Sequence, residues 1–259
     1  IAGLAITFPL MNLVIAFCVF IAAGGATISS IYLGQKDIVR AKSVLNIVFW
    51  LGLMHSIVFG GLSLIFLDEI LYFFGATTET IPYAREFMRI ILYGSPISYL
   101  FVVLNNMLRA TGYPQKAMYT ALLTVLINLI LAPIFIFVLK WGIAGAAFAT
   151  ICGQFVALLW MMIHFSSSKS FVSFNRSKLF TFSVSVLKKI YAIGLSPFLM
   201  NVCACIVVIF INKALLDTGG VDGNFAVGAF GIVNRTGMLF VMIVFGVTQG
   251  MQPILGFNY

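Results

Sequence analysis

The 259 residues are 62% hydrophobic and only 8% charged, with 26 phenylalanines, a mean hydropathy of +1.12 and a net charge of +8. A soluble domain carries about 25% charged residues, so these values exclude one. Recurrent apolar runs of about 20 residues, without strand-like alternation, exclude a membrane β-barrel as well. What remains is an all-α, polytopic membrane protein whose basic residues sit in the loops between spans. That distribution answers to lipid topology rather than to nucleic acid.

Seven spans are predicted, at 1–33, 44–66, 87–108, 117–139, 142–165, 190–216 and 225–257. An odd number puts the two ends on opposite sides. The first, third and fifth connections hold Lys36, Arg40, Lys42, Arg109, Lys116, Lys169, Arg176, Lys178, Lys188 and Lys189 against one acid, Asp37. The others hold Arg85, Arg89, Lys140 and Lys213 against six acids. Lys and Arg resist translocation, so the ten mark the cytoplasmic side. The chain opens on Ile1 inside an apolar run and closes on Tyr259 just past another. The expectation is a piece of a longer protein, truncated at both ends.

Between the second and third spans, residues 67–86 keep a helical apolar rhythm and are expected to lie along the outer surface, with Tyr72, Tyr83 and Trp141 as headgroup anchors. Residues 166–189 form the longest polar stretch, Ser-rich and basic, and read either as a simple loop or as a boundary between two bundles. Pro9, Pro96, Pro133, Pro197 and Pro253 fall inside spans, where each is able to bend its helix. Cys18, Cys152, Cys203 and Cys205 lie in apolar runs and read as small packing residues, with no disulfide and no metal site.

No span carries a carboxylate at its centre, and two histidines without a metal-binding spacing make no catalytic constellation. The chain is therefore not expected to be an enzyme, and no catalytic residue or organic cofactor is assigned. His55, in the middle of the second span, is open to two readings: a proton-linked group or a hydrogen-bonded packing residue. The polar groups at depth are neutral: Asn12, Asn46, Asn128, Thr150, Asn201, Asn234, Gln249 and Gln252, with one cation, Arg235, which should face a cavity or snorkel to an interface. Asn12, Asn201 and Asn234 are candidates for lining a substrate cavity, with Met200 among the flexible methionines that suit promiscuous binding or, equally, fill a core.

The stretch LRATGYPQKAMYTALLTVLINLILAPIFIFVLKWGIAGAAFAT, from Leu108 to Thr150, resembles the end of the first bundle in the multidrug and toxic compound extrusion (MATE) family. A basic turn, a helix with N-x-x-x-D-P-I-F-I-F and a G-I-x-G-A-A-x-A-T helix start follow one another in the same order. More weakly, IYLGQKDIVRAKS and VGAFGIVNRTGMLF through GVTQGMQPILGFNY resemble the family's second and eighth helices. The resemblance implies a two-lobe, six-plus-six helix architecture, of which residues 1–165 form most of the first lobe, 166–189 the cytoplasmic connection and 190–259 the start of the second. An in-chain repeat would then relate the first and last spans at an offset of 225, pairing Gly25 with Gly250, although few identities support it.

The resemblance further implies an ion-coupling region at Asn128 and Thr150. The family's aspartate position is Ala132 here, and the carboxylate of its first helix lies outside this chain. The function implied is secondary active export of amphipathic or cationic small molecules, by antiport with H+ or Na+ and alternating access. The protein would be a monomer in the lipid bilayer of a bacterial inner membrane, with kinks at Pro9, Pro133 and Pro197. A lipid-linked oligosaccharide flippase of the same superfamily and a seven-helix receptor are the alternatives.

Overall fold

The computed structural model describes residues 2–74, 81–167, 170–174, 183–218 and 223–258, and they are almost wholly helical. Helices run α1 (Ala2–Gly34), α2 (Ile38–Ile65), α3 (Leu67–Phe73), α4 (Ile81–Tyr93), α5 (Ser95–Ala110), α6 (Pro114–Pro133), α7 (Gly142–Ser166), α8 (Val184–Thr218) and α9 (Gly223–Asn258). A π-helical turn, Ile134–Val138, continues α6. Six of these helices are long and apolar enough to cross a membrane, and α4 with α5, bent by 54°, makes a seventh if the pair is counted as one span.

The third predicted span, 87–108, falls on α4 and α5, and the bend that Pro96 was expected to allow lies two residues earlier. The break falls at Gly94 and not inside α5: Pro96 sits in the first turn of α5, where a missing N–H costs nothing. A side chain on Gly94 would collide with Ile151 of α7, so glycine lets the broken span press against that helix. Pro133 acts as expected of a helix-interior proline but yields a wide turn, closed by the Leu139 amide donating to the Ile134 carbonyl at 3.0 Å.

The turns at the basic end are tight. After α1, the Asp37 amide bonds the Tyr32 carbonyl at 2.8 Å with Lys36 in the left-handed region, φ 59°. The Asp37 carboxylate then caps α2 by accepting the Arg40 amide at 2.9 Å, which starts that helix six residues before the expected position 44. After α5 the Tyr113 amide returns to the Leu108 carbonyl at 2.9 Å, with Gly112 at φ 88° and Pro114 opening α6.

Two apolar clusters form the core. One, toward the basic end, gathers α1, α2, α5 and α7 around Leu45, Val103, Met107 and Phe165. The other gathers α1, α3, α4 and α5 around Val14, Leu71, Met88 and Tyr99. Residues 67–86 are therefore not only a surface segment: Leu67 and Leu71 are buried, and Arg85 of α4 holds Asp68 of α3 through two hydrogen bonds of 2.7 Å. The 166–189 stretch is also shorter as a connection than expected. Val172 is buried in the first cluster, the Phe174 amide bonds the Phe165 carbonyl at 2.9 Å, and α8 already begins at Val184. Lys169, Arg176 and Lys178 lie outside the described residues.

Candidate functional site

Asn128 and Thr150 meet because α6 and α7 are allowed close together. A Cβ on Gly153 would lie 2.8 Å from the Thr124 carbonyl, and one on Gly145 would lie 2.9 Å from the Phe135 backbone. Any larger residue at either point would push the helices apart. In the gap that results, Asn128 Nδ2 donates to Thr150 Oγ1 at 3.0 Å, while the Thr150 hydroxyl spends its own proton on the Ala146 carbonyl at 3.0 Å. Thr150 is thereby locked as the acceptor, and among the described residues nothing donates to Asn128 Oδ1. One turn along α7, Gln154 Oε1 accepts from Ser98 Oγ of α5 at 2.5 Å. These groups offer neutral oxygens at membrane depth. Ala132, four residues beyond Asn128 on the same helix face, adds no charge.

The described contacts do not join the other candidates to this pair. Asn12 is exposed on α1, and Met200 is exposed on α8. Asn201 turns back on its own helix, donating to the Pro197 carbonyl at 2.8 Å within α8. The side chains of Asn234, Arg235 and Pro9 lie outside the described residues.

A second set of polar contacts escaped the sequence reading, and it runs between α1, α2 and α5 on one side and α8 and α9 on the other. Arg109, counted above as a loop charge, belongs to the last turn of α5, where it complements the helix dipole. Its guanidinium donates to Asn105 Oδ1 at 2.8 Å and also bonds Gln249 Oε1 of α9. Gln252 of α9 donates to Thr27 Oγ1 of α1 at 2.6 Å, two residues that stand at the repeat offset of 225. Side chains on Gly24, Gly34 and Gly194 would collide with the backbones of Ile190, Phe257 and Phe20, so glycine permits each helix crossing on this seam. Tyr191 of α8 bonds His55 of α2 at 3.2 Å. The signal available was chemical, since Gln249, Gln252 and His55 are unusual at depth, but nothing in a single sequence names their partners.

At the basic end, Lys116 Nζ donates to His164 Nδ1 at 3.1 Å and stacks on the Tyr113 ring, with the cation 4.6 Å from its centroid. The cluster ties the α5–α6 turn to the end of α7. Among the described residues no group of three His, Cys, Asp or Glu side chains is placed to hold a metal ion.

Set beside known proteins, residues 1–134 match the MatE family model. The whole chain is 30% identical to the multidrug export protein MepA of Staphylococcus haemolyticus, covering 100% of this chain and 56% of that protein. It superimposes on an inward-facing multidrug resistance MATE family transporter of the MOP superfamily with a TM-score of 0.82 and 28% identity, over 99% of this chain and 55% of that one. A MOP superfamily transporter from Pyrococcus furiosus, described as having a binding pocket of reversed polarity, aligns with a TM-score of 0.85 and 28% identity over 99% and 54% of the two chains. The chain thus spans about half the length of the relatives it matches. It belongs to the MATE family of multi-pass membrane transporters, and it is a transporter-family protein and not an enzyme.

Proposed function

We propose that the chain is part of a secondary active exporter that moves amphipathic, often cationic, small molecules out of the cytoplasm in antiport with H+ or Na+. The observation that carries this reading is the hydrogen bond from Asn128 to Thr150, which joins α6 to α7 at membrane depth in helices that are otherwise largely apolar. An amide and a hydroxyl held in this way offer oxygen ligands to a small cation without forbidding the empty state. MepA's description as a multidrug export protein supports the substrate class.

In this reading residues 1–165 belong to one lobe and 190–259 begin a second, with 166–189 as a cytoplasmic connection. The seam of α1 and α2 against α8 and α9 supports that division, and the contact of Thr27 with Gln252 at the repeat offset supports a two-fold relation between the lobes. Alternating access then consists of opening and closing this seam. The protein works as a monomer in a bacterial cytoplasmic membrane, with the basic loops inside. Asn12, Asn201, Asn234 and Met200 are kept as the candidates for the substrate path, and Pro133 and Pro197 as those for the bends.

The test is efflux of a fluorescent cationic dye from vesicles that hold the full-length protein, under a proton or a sodium gradient imposed separately, with Asn128→Ala beside the wild type. Efflux that follows one gradient and collapses in the variant is the expected result. Gradient-driven efflux untouched by the substitution moves coupling away from Asn128. Absence of efflux under both gradients overturns the exporter and favours lipid-linked sugar transport.

A further inference from the structure

The short helix α3 has two faces. Leu67 and Leu71 are buried in the second apolar cluster, and the Arg85 bridge to Asp68 pins the helix there. Phe66 at its start, Glu69, Ile70 and Phe73 recur at the i, i+3, i+4, i+7 spacing of another face. That face is one wall of a cavity of about 550 Å³, whose other walls include Leu10 and Leu13 of α1 and Phe59 and Ser63 of α2. The cavity lies at the end of α2 remote from the basic turns, and no residue of α6 or α7 lines it. It is therefore separate from the Asn128 and Thr150 pair.

Two polar groups stand in these otherwise apolar walls. Ser63 is 4% exposed and, among the described residues, its hydroxyl has no hydrogen-bond partner. A buried hydroxyl left unpaired is costly, and a ligand with one polar atom would relieve it. Glu69 is exposed at the rim, and among the described residues no ion pair includes it, whereas its neighbour Asp68 is held by Arg85. One carboxylate without a counter-ion thus stands beside the rings of Phe66, Phe73 and Phe74, whose faces attract cations. A volume of this order suits a drug-sized ligand.

We propose that this cavity binds an organic cation with a bulky apolar body. The body sits among the phenylalanines, the charge lies toward Glu69, and a polar atom of the ligand, where it has one, meets Ser63. Charge selects this occupant over a phospholipid, whose phosphate would have to sit beside the Glu69 carboxylate. The Phe59 ring lies 4.5 Å from Phe17, and Phe17 lies 4.8 Å from Phe198 of α8, so the back of the cavity is two ring contacts from the seam. The inference goes beyond the exporter reading and does not need it, because binding is measured without a gradient.

The full-length protein, with its native cysteines replaced, is placed in phosphatidylcholine nanodiscs with a trifluoromethyl label on Leu62→Cys at the cavity edge. A control carries the label on Ile65→Cys, which is exposed on the same helix and outside the wall. The fluorine resonance is followed while tetraphenylphosphonium is added, and tetraphenylborate, of the same shape and opposite charge, is the comparison. The expected result is a saturable shift at Leu62→Cys with the cation, none at Ile65→Cys, and no saturable shift with the anion. Glu69→Gln, a substitution at an exposed position, weakens cation binding roughly threefold to fivefold, the size of one exposed ion pair, and Glu69→Asp keeps most of it. Ser63→Leu, which fills the cavity, abolishes the shift. Equal responses to the two ions, or unchanged affinity in Glu69→Gln, overturn the proposal. A Leu62→Cys signal that ignores the cation and moves when the nanodisc lipid is exchanged for phosphatidylglycerol also overturns it, and assigns the cavity to lipid. Dye efflux on the same protein separates the two readings: saturable binding without efflux keeps this site and removes the exporter, and efflux without binding at Leu62→Cys removes only the site.

Discussion

Helices α1 and α6 are both apolar and long enough to span, and α6 is the more apolar of the two, yet they occupy opposite situations. Most of α1 from Leu10 to Gly34 is buried, whereas between Pro114 and Val138 Ala117 and Thr120 alone are. The difference lies in side-chain size. On α1, Gly24 and Gly34 let α8 and α9 approach to backbone contact, Gly25 receives the Val48 side chain of α2 and Ser30 bonds the Ala110 carbonyl of α5, whereas α6 presents Leu122, Val125, Leu126, Leu129 and Ile130 outward. In lipid the tails are as apolar as leucine, so helices associate where small residues allow close packing and polar groups find partners. Hydropathy therefore tells which segments enter the membrane, and small residues tell which of them become the hub.

The most severe way to break this contrast is Gly24→Leu. Its side chain meets the Ile190 carbonyl, which is backbone and cannot turn away, so a loss at the upper end of the ~1–3 kcal/mol range for overpacking is expected. The check is the yield of monodisperse protein and its unfolding temperature in detergent, and a normal yield would remove α1 as the hub. Arg109→Met should cost about 1.5–3 kcal/mol, because the guanidinium bonds both Asn105 and Gln249 and the amides would be left without it. Disulfide trapping between cysteines placed on α5 and α9 should fall in parallel with the unfolding temperature.

A direct pairing sharpens the comparison. Leu10→Ala on α1, where Leu10 is 1% exposed, should cost about 2 kcal/mol, while Leu126→Ala on α6, 56% exposed, should change stability by less than about 0.5 kcal/mol. Equal unfolding temperatures for the two would mean that burial on α1 contributes nothing. Between these, Asp37→Ala removes the cap of α2 and should cost ~1 kcal/mol, read in the same measurement, with Asp37→Asn restoring most of it.

Much of the architecture was legible because it follows from chemistry carried by single residues. Runs of apolar residues marked the spans, and the basic turn between α5 and α6, like the Asn128 and Thr150 positions, came with the family resemblance. What failed was detail that depends on a neighbour. Pro96 was a reasonable place for a bend, but proline is harmless in a first helical turn and the break lies at Gly94, where α7 comes close. Arg109 looked like a loop cation because a charge at a span's end gives no hint of which way its helix faces. The pairing of His55 with Tyr191, 136 residues apart, was invisible, since helices that are apolar all round do not reveal their rotation. Asn201, a candidate cavity amide, bonds the Pro197 carbonyl of its own helix, a contact its sequence position did not reveal.

The anchoring of Phe174 on the Phe165 carbonyl has one more consequence. Only nine peptide steps separate Phe174 from Ser183, where α8 is about to begin. At about 3.5 Å per residue the tether reaches ~30 Å when taut, far less than the 24-residue stretch would suggest on its own. Under the proposed alternating access, the Phe165–Phe174 bond would work as a leash: it would limit the stroke of α8, and releasing it would lengthen that stroke without altering a residue of the proposed path.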